Sequence, residues 1–200
     1  MSTSVYTIET PSVRARVGDC SVNASRGGFD WLHFLDYDNL HGTGCPSIAR
    51  IDRVYDAYQD LGIGKTDLIF GACNHNPSRN NRVRVRTAWH LLERWAPARV
   101  RLTTGIKGAD YVLIDDIFDL LRAGNVANRF TDVAIGSGHH IFTLAVLQLR
   151  KAGLRVHLVV ASPQSLSRDL ARAANGCVWL LHERRCLRHQ EPVEKQALAA

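Results

Sequence analysis

From Trp31 onward, short runs of β-branched and apolar residues alternate with segments whose apolar residues recur every three or four positions, and this alternation restricts the fold most. The extended runs are 31–36 (WLHFLD), 67–72 (DLIFGA), 98–103 (ARVRLT), 132–136 (DVAIG), 154–160 (LRVHLVV) and 177–181 (CVWLL), each bounded by Gly, Pro or polar residues. Between them, Ile48, Ile51, Tyr55, Tyr58 and Leu61 mark one amphipathic helix, and Ala88, Leu91, Leu92 and Trp95 a second. Three more helices are predicted over 109–123, 139–152 and 165–175, the last ended by Gly176. Strands and helices in this order predict an α/β protein, a three-layer α/β/α sandwich around a mainly parallel sheet. Residues 1–28 show no sustained period and read as an N-terminal extension, 29–182 as the domain, and 183–200 as a charged tail that adds a helix or stays loose.

Two hundred residues with 46% apolar content suffice for one domain with a sizeable core. The net charge is +6, and only four of the 25 basic residues are lysine, leaving 21 arginines. Guanidinium forks suit a polyanion, so nucleic acid is a reasonable partner class. Five cysteines, odd in number and without C-x-x-C, argue against a disulfide scaffold and fit a reducing cytoplasm. Cys177, His182, Cys186 and His189 invite a zinc reading, but their spacing matches no common finger. No run of 18 apolar residues occurs, so a membrane partner is not expected. A homo-oligomer is a possible arrangement, with the oligomeric state left open by the sequence.

In a parallel sheet, ligands bind outside the carboxyl ends of the strands. Asp36 closes the first strand there, and Asn39, three residues on, is placed to fix the carboxylate's orientation. Hard cations such as magnesium take oxygen from one or two such side chains and keep water and phosphate in the other positions. The plain alternative is an Asx turn that caps the next segment. A second acid cluster, GIKGADYVLIDDIFDLL, has Gly108 opening a helix and Asp110 in its first turn, where the helix macrodipole alone also favours an acid. Asp116 follows about 240° round the helix from Asp110, so it ranks below Asp110 as a ligand. Arg79 and Arg82 follow the second strand among asparagines, where they would grip phosphates; Arg84, Arg86 and the Arg184, Arg185, Arg188 cluster rank lower.

The order D-x-x-N (Asp36, Asn39), K-G-x-D (Lys107, Gly108, Asp110) and S-G-x-x-x-F (Ser137, Gly138, Phe142) resembles the NYN domain, a PIN-like, Rossmannoid nuclease fold, over roughly residues 31–181. The resemblance implies an RNA-acting protein, a metal-dependent endoribonuclease in which acids hold magnesium or manganese and hydrolysis of a single RNA strand is metal-assisted. Taken together with the reading of the strand ends, the acidic helix and the histidine at the replaced position, it gives Asp36, Asn39, Asp110 and His139 as the candidate catalytic residues, Asp36, Asp110 and Asp116 as candidate metal ligands, and Lys107, Arg79, Arg82 and Ser137 as candidate RNA contacts.

The family's third motif usually reads S-G-D-x-D-F, whereas this chain has Ser137-Gly138-His139-His140-Ile141-Phe142. Three readings of the replacement stand open: a degenerate, inactive RNA-binding or regulatory module; a substituted site in which a neutral His139 is base or ligand; and histidines that merely cap a helix. The phrase D-Y-D-N-L-H-G-T also resembles the first motif of haloacid-dehalogenase-type phosphatases, but the late G-D-x-x-x-D that chemistry needs is absent. A dinucleotide-binding Rossmann domain fits less well still, since the first strand leads to an acid cluster instead of G-x-G-x-x-G.

Overall fold

The computed structural model describes residues 6–7, 30–74 and 82–189. The strands are β1 (Tyr6–Thr7), β2 (Asp30–Asp36), β3 (Leu68–Asn74), β4 (Arg99–Thr103), β5 (Phe130–Gly136), β6 (Arg155–Val160), β7 (Val178–Leu180) and β8 (Arg185–His189), in sheet order β1-β8-β7-β6-β5-β2-β3-β4. Six of them, β7-β6-β5-β2-β3-β4, are parallel, as expected for apolar runs buried on both faces. The helices are α1 (Tyr37–His41), α2 (Ile48–Gln59), α3 (Arg82–Arg94), α4 (Gly108–Ala123), α5 (Val126–Arg129), α6 (Thr143–Lys151) and α7 (Arg168–Ala173). The three-layer α/β/α sandwich is the observed architecture.

Side-chain alternation divides the core into two layers. Leu32 and Phe34 point to the layer of α4, α6 and α7, where they meet Leu113, Ile117, Val146 and Leu149. Leu35 points the other way, to Ile51, Val54, Tyr58, Leu91 and Trp95 of α2 and α3. Each such buried side chain stabilises the fold by about 1.5–3 kcal/mol. Asp36 shares the parity of Leu32 and Phe34, which directs it to the α4 side. The chain runs outward from β2 to β3 and β4, then returns to β5 on the opposite flank of β2. That reversal opens a crevice at the carboxyl ends of β2 and β5.

Two differences from the sequence reading concern the edge. The charged tail contributes β8, antiparallel to β7 with Leu180 opposite Arg185 and Val178 opposite Leu187. The hairpin was hidden because its turn, His182 to Arg184, lacks the Gly and Asn that usually mark one, and Arg184 itself takes a positive φ of 48°. The N-terminal extension adds β1, with Tyr6 opposite His189. The zinc reading fails here too, because Cys186 is disulfide-bonded, while Cys45, Cys73 and Cys177 carry reduced sulfur. The disulfide at Cys186 also departs from the expectation of uniformly reduced cysteines.

Candidate metal centre

Asp36 ends β2 and is the N-cap of α1, its Oδ1 accepting a hydrogen bond from the Asn39 amide at 3.1 Å. The capping turn anticipated as the plain alternative is therefore real, and it serves the site, because one oxygen caps while the carboxylate stays in the crevice. Asn39 orients Asp36 through its backbone rather than its side chain. Its Oδ1 instead accepts from the Gly138 amide at 3.0 Å, tying the loop after β5 to the turn after β2. Gly138 cannot be replaced there: a Cβ would lie 1.8 Å from the Ser165 carbonyl oxygen.

Asp110 enters from the first turn of α4, whose buried Ala109, Leu113 and Ile117 fix the helix against the sheet. Lys107, with φ of 60°, turns the chain into that helix and stays exposed. Asp36 and Asp110 are each only 3% exposed. The His139 Nδ1 donates to Asp110 Oδ2 at 3.2 Å, while Asp110 Oδ1, also buried, has no hydrogen-bond partner. Ligand atoms of Asp36, Asp110 and His139 all lie within 4.8 Å of one another, the one grouping of this kind among the described residues. Burial first, and the adjacent Asp110 charge second, push the Asp36 carboxyl up to about 8, against the Asn39 amide. Two buried carboxylates with an unmet oxygen and a nitrogen donor beside them fit a divalent cation, which would relieve their repulsion.

Other expected residues fall elsewhere. Asp116 does not join the group; it pairs with Arg101 at 2.7 Å across α4 and β4, as the helical phase from Asp110 requires. Ser137 is fully buried, its Oγ accepting from the His139 amide at 3.3 Å, so it shapes the loop and cannot reach a ligand directly. Ile141, at the second replaced acid position, packs against the core. Arg79, and the side chain of Arg82, lie outside the described residues. Arg84, ranked lower from sequence, instead lines a small recess together with Asp38, Tyr37 and Asn74.

Asp38 is a further acid at this edge, outside the set that the sequence motifs pick out. Its Oδ2 accepts from the Asn74 amide at 2.8 Å. Burial raises its carboxyl to about 6, opposed by that amide and assisted by the Asp110 charge. The D-x-D spacing around Tyr37 was the available signal; the pairing with the end of β3 was not.

The NYN domain profile matches residues 34–181. The chain belongs to the NYN-domain family. NYN domains belong to the PIN-like nuclease superfamily, whose α/β fold is the one seen here. The NYN match begins two residues before Asp36 and ends at Leu181, so the three grouped residues all lie within it. A solved structure of a protein of unknown function from Vibrio parahaemolyticus is similar, with 14% identity and a TM-score of 0.49 over 78% of this chain and 94% of that one. No curated relative matches.

Proposed function

We propose that this NYN protein is a metal-dependent endoribonuclease acting on single-stranded RNA in the cytoplasm, with magnesium or manganese held by Asp36 and Asp110 and with His139 as the third donor. The observation that carries this reading is the buried Asp36–Asp110 pair with an unpartnered Asp110 oxygen and His139 within ligand range. Family membership supports RNA as substrate, and the net charge of +6 suits it.

A cation bound there would supply Lewis-acid stabilisation of charge developing on the phosphate. The chain's own residues prepare the place: the Asn39 amide holds one Asp36 oxygen, Asn39 Oδ1 fixes the loop that carries His139, and Asp110 orients the imidazole through Nδ1. Lys107 is exposed at the N-terminus of α4, three residues before Asp110, and in this reading its ammonium meets a substrate phosphate. A nitrogen donor in place of an aspartate favours manganese over magnesium.

The replacement of two family acids by His139 and Ile141 favours a second reading, an RNA-binding module without hydrolysis. Incubating labelled single-stranded RNA with the protein and manganese separates the two. Cleavage that falls at least about a hundredfold in Asp36→Asn is expected of a metal-assisted nuclease. Binding without cleavage by the wild type would assign the module instead, and chelator-resistant cleavage would contradict a metal requirement.

A further inference from the structure

Between α2 and the β7–β8 turn lies a groove of about 430 Å³ with Val54 and Leu181 in its floor and Arg50, Arg53, His182 and Arg184 along its walls. The helix segregates its charges. Asp52 and Asp56, four residues apart, face α3 and pair with His90 and Arg94. Arg50 and Arg53, three apart, take the other flank, and among the described residues neither makes an ion pair. Arg184 is held by Asp60 at 2.7 Å, and neighbouring Glu183 is occupied by Arg185. Three guanidinium groups therefore share the groove with one carboxylate, an excess that the fold itself does not use.

The groove opens at the same carboxyl-end edge of the sheet as the acidic cluster, but on the α2 face rather than the α4 face, so a ligand joining them passes over that edge. The amides of Leu181 and His182 donate to Val160 and Ala161 at 2.9 and 3.0 Å, continuing the ladder past the carboxyl ends of β6 and β7. Arg50 reaches toward α1: its Nη2 lies 3.4 Å from where a Cβ on Gly42 would stand, and Gly42 ends the helix that Asp36 caps. β7 is three strands from β2, about 14 Å at ordinary strand spacing. A ligand that engages both places must be extended and must repeat its negative charge, and guanidinium forks over an apolar floor suit phosphates and sugars of one strand.

We propose that the groove between α2 and the β7–β8 turn is a phosphodiester-binding subsite that holds a single RNA strand several nucleotides from the acidic cluster. This deepens the reading of the cluster as RNA-acting and rests on it. The test is fluorescence anisotropy in chelator, where nothing is cleaved, with labelled oligouridylates of about 3 and about 15 nucleotides, within and beyond a single short site. Arg50→Ala/Arg53→Ala is compared with Arg122→Ala/Lys151→Ala, which removes equal charge from α4 and α6 on another surface, and thermal melting checks that each folds. The groove variant is expected to bind the long oligomer about tenfold more weakly, with a log–log salt slope reduced by about 1.4 for two lost phosphate contacts. The trimer and the control variant should be unaffected, and Arg50→Lys/Arg53→Lys should retain most of the affinity. Long-oligomer binding and salt slope equal to wild type, or an equal loss in the control, overturn the subsite. Groove-dependent binding without manganese-dependent cleavage would overturn the nuclease reading alone, whereas intact cleavage with groove-independent binding would overturn the subsite alone.

Discussion

His139 and Asp110 meet at 3.2 Å through Nδ1 and Oδ2, while the second oxygen of the same aspartate is buried without a partner beside Asp36. A carboxylate with one oxygen engaged by a histidine and the other unmet offers one ligand position, and Asp36 supplies the next donor. Saturating manganese should therefore stabilise the fold. At a hundredfold excess over the dissociation constant the gain is about 2.7 kcal/mol, on the order of 5–10 °C in Tm for a chain of this size. Thermal melting should show a larger shift with manganese than with magnesium, and almost none in Asp110→Asn.

Without metal, the same pair makes stability depend on pH. Asp36 is raised to about 8 in the folded chain, so between the ordinary carboxylate range and pH 8 the folded state binds the extra proton and stability falls as pH rises. His41 acts in the opposite sense: burial lowers it to about 4, so the unfolded chain binds the proton first and stability is lost as pH falls from about 6.5 to 4. Above pH 6.5 only the Asp36 effect of these two remains. In chelator, Asp36→Asn, which keeps a capping oxygen, should raise Tm at pH 8 by roughly 4–8 °C and flatten the decline between pH 6.5 and 8. An unchanged decline in the variant would show that Asp36 is not the titrating group.

The Asn39–Gly138 hydrogen bond joins the ends of β2 and β5, so its loss should loosen the loop that presents His139. Asn39→Ala is expected to cost about 1–3 kcal/mol by leaving the Gly138 amide unmet. Gly138→Ala should cost more, because its methyl group meets backbone at Ser165 rather than a side chain able to swing away. Urea unfolding midpoints rank the two.

Why some of this was legible in the sequence and some was not follows from where each signal resides. The parallel strands announced themselves because burial on both faces makes Leu158, Val159 and Val160 a continuous apolar run. Asp36 and Asp110 were legible because strand ends and first helical turns are local features, and the helical phase already separated Asp116 from Asp110. Asp38 is not singled out by the sequence, and Arg84 ranks low in it, because the recess they line with Asn74 is assembled from β3, α3 and the turn after β2, which only the fold brings together. The strand β8 was missed because Arg184 occupies a left-handed position normally marked by Gly or Asn.

Asp132, a buried acid outside the cluster, has a structural part to play. Its carboxylate accepts from His157 at 3.0 Å and from Thr131 at 2.6 Å, and it pairs with Arg155. Although burial opposes ionisation, those donors hold its carboxyl well below the usual range, so its contribution is present above the ordinary carboxylate pKa and is lost in strong acid. Asp132→Ala should cost about 3–5 kcal/mol by uncovering buried partners. Residual folded protein should still bind manganese, measured by titration below the lowered Tm.

Manganese binding followed by electron paramagnetic resonance bears most directly on the metal centre. One tight site per chain is expected in the wild type and in Asp116→Asn, with that site lost or weakened at least about tenfold in Asp36→Asn and in Asp110→Asn. Wild-type binding in both latter variants, or a site lost only with Asp116→Asn, would contradict a cation shared between the end of β2 and the first turn of α4.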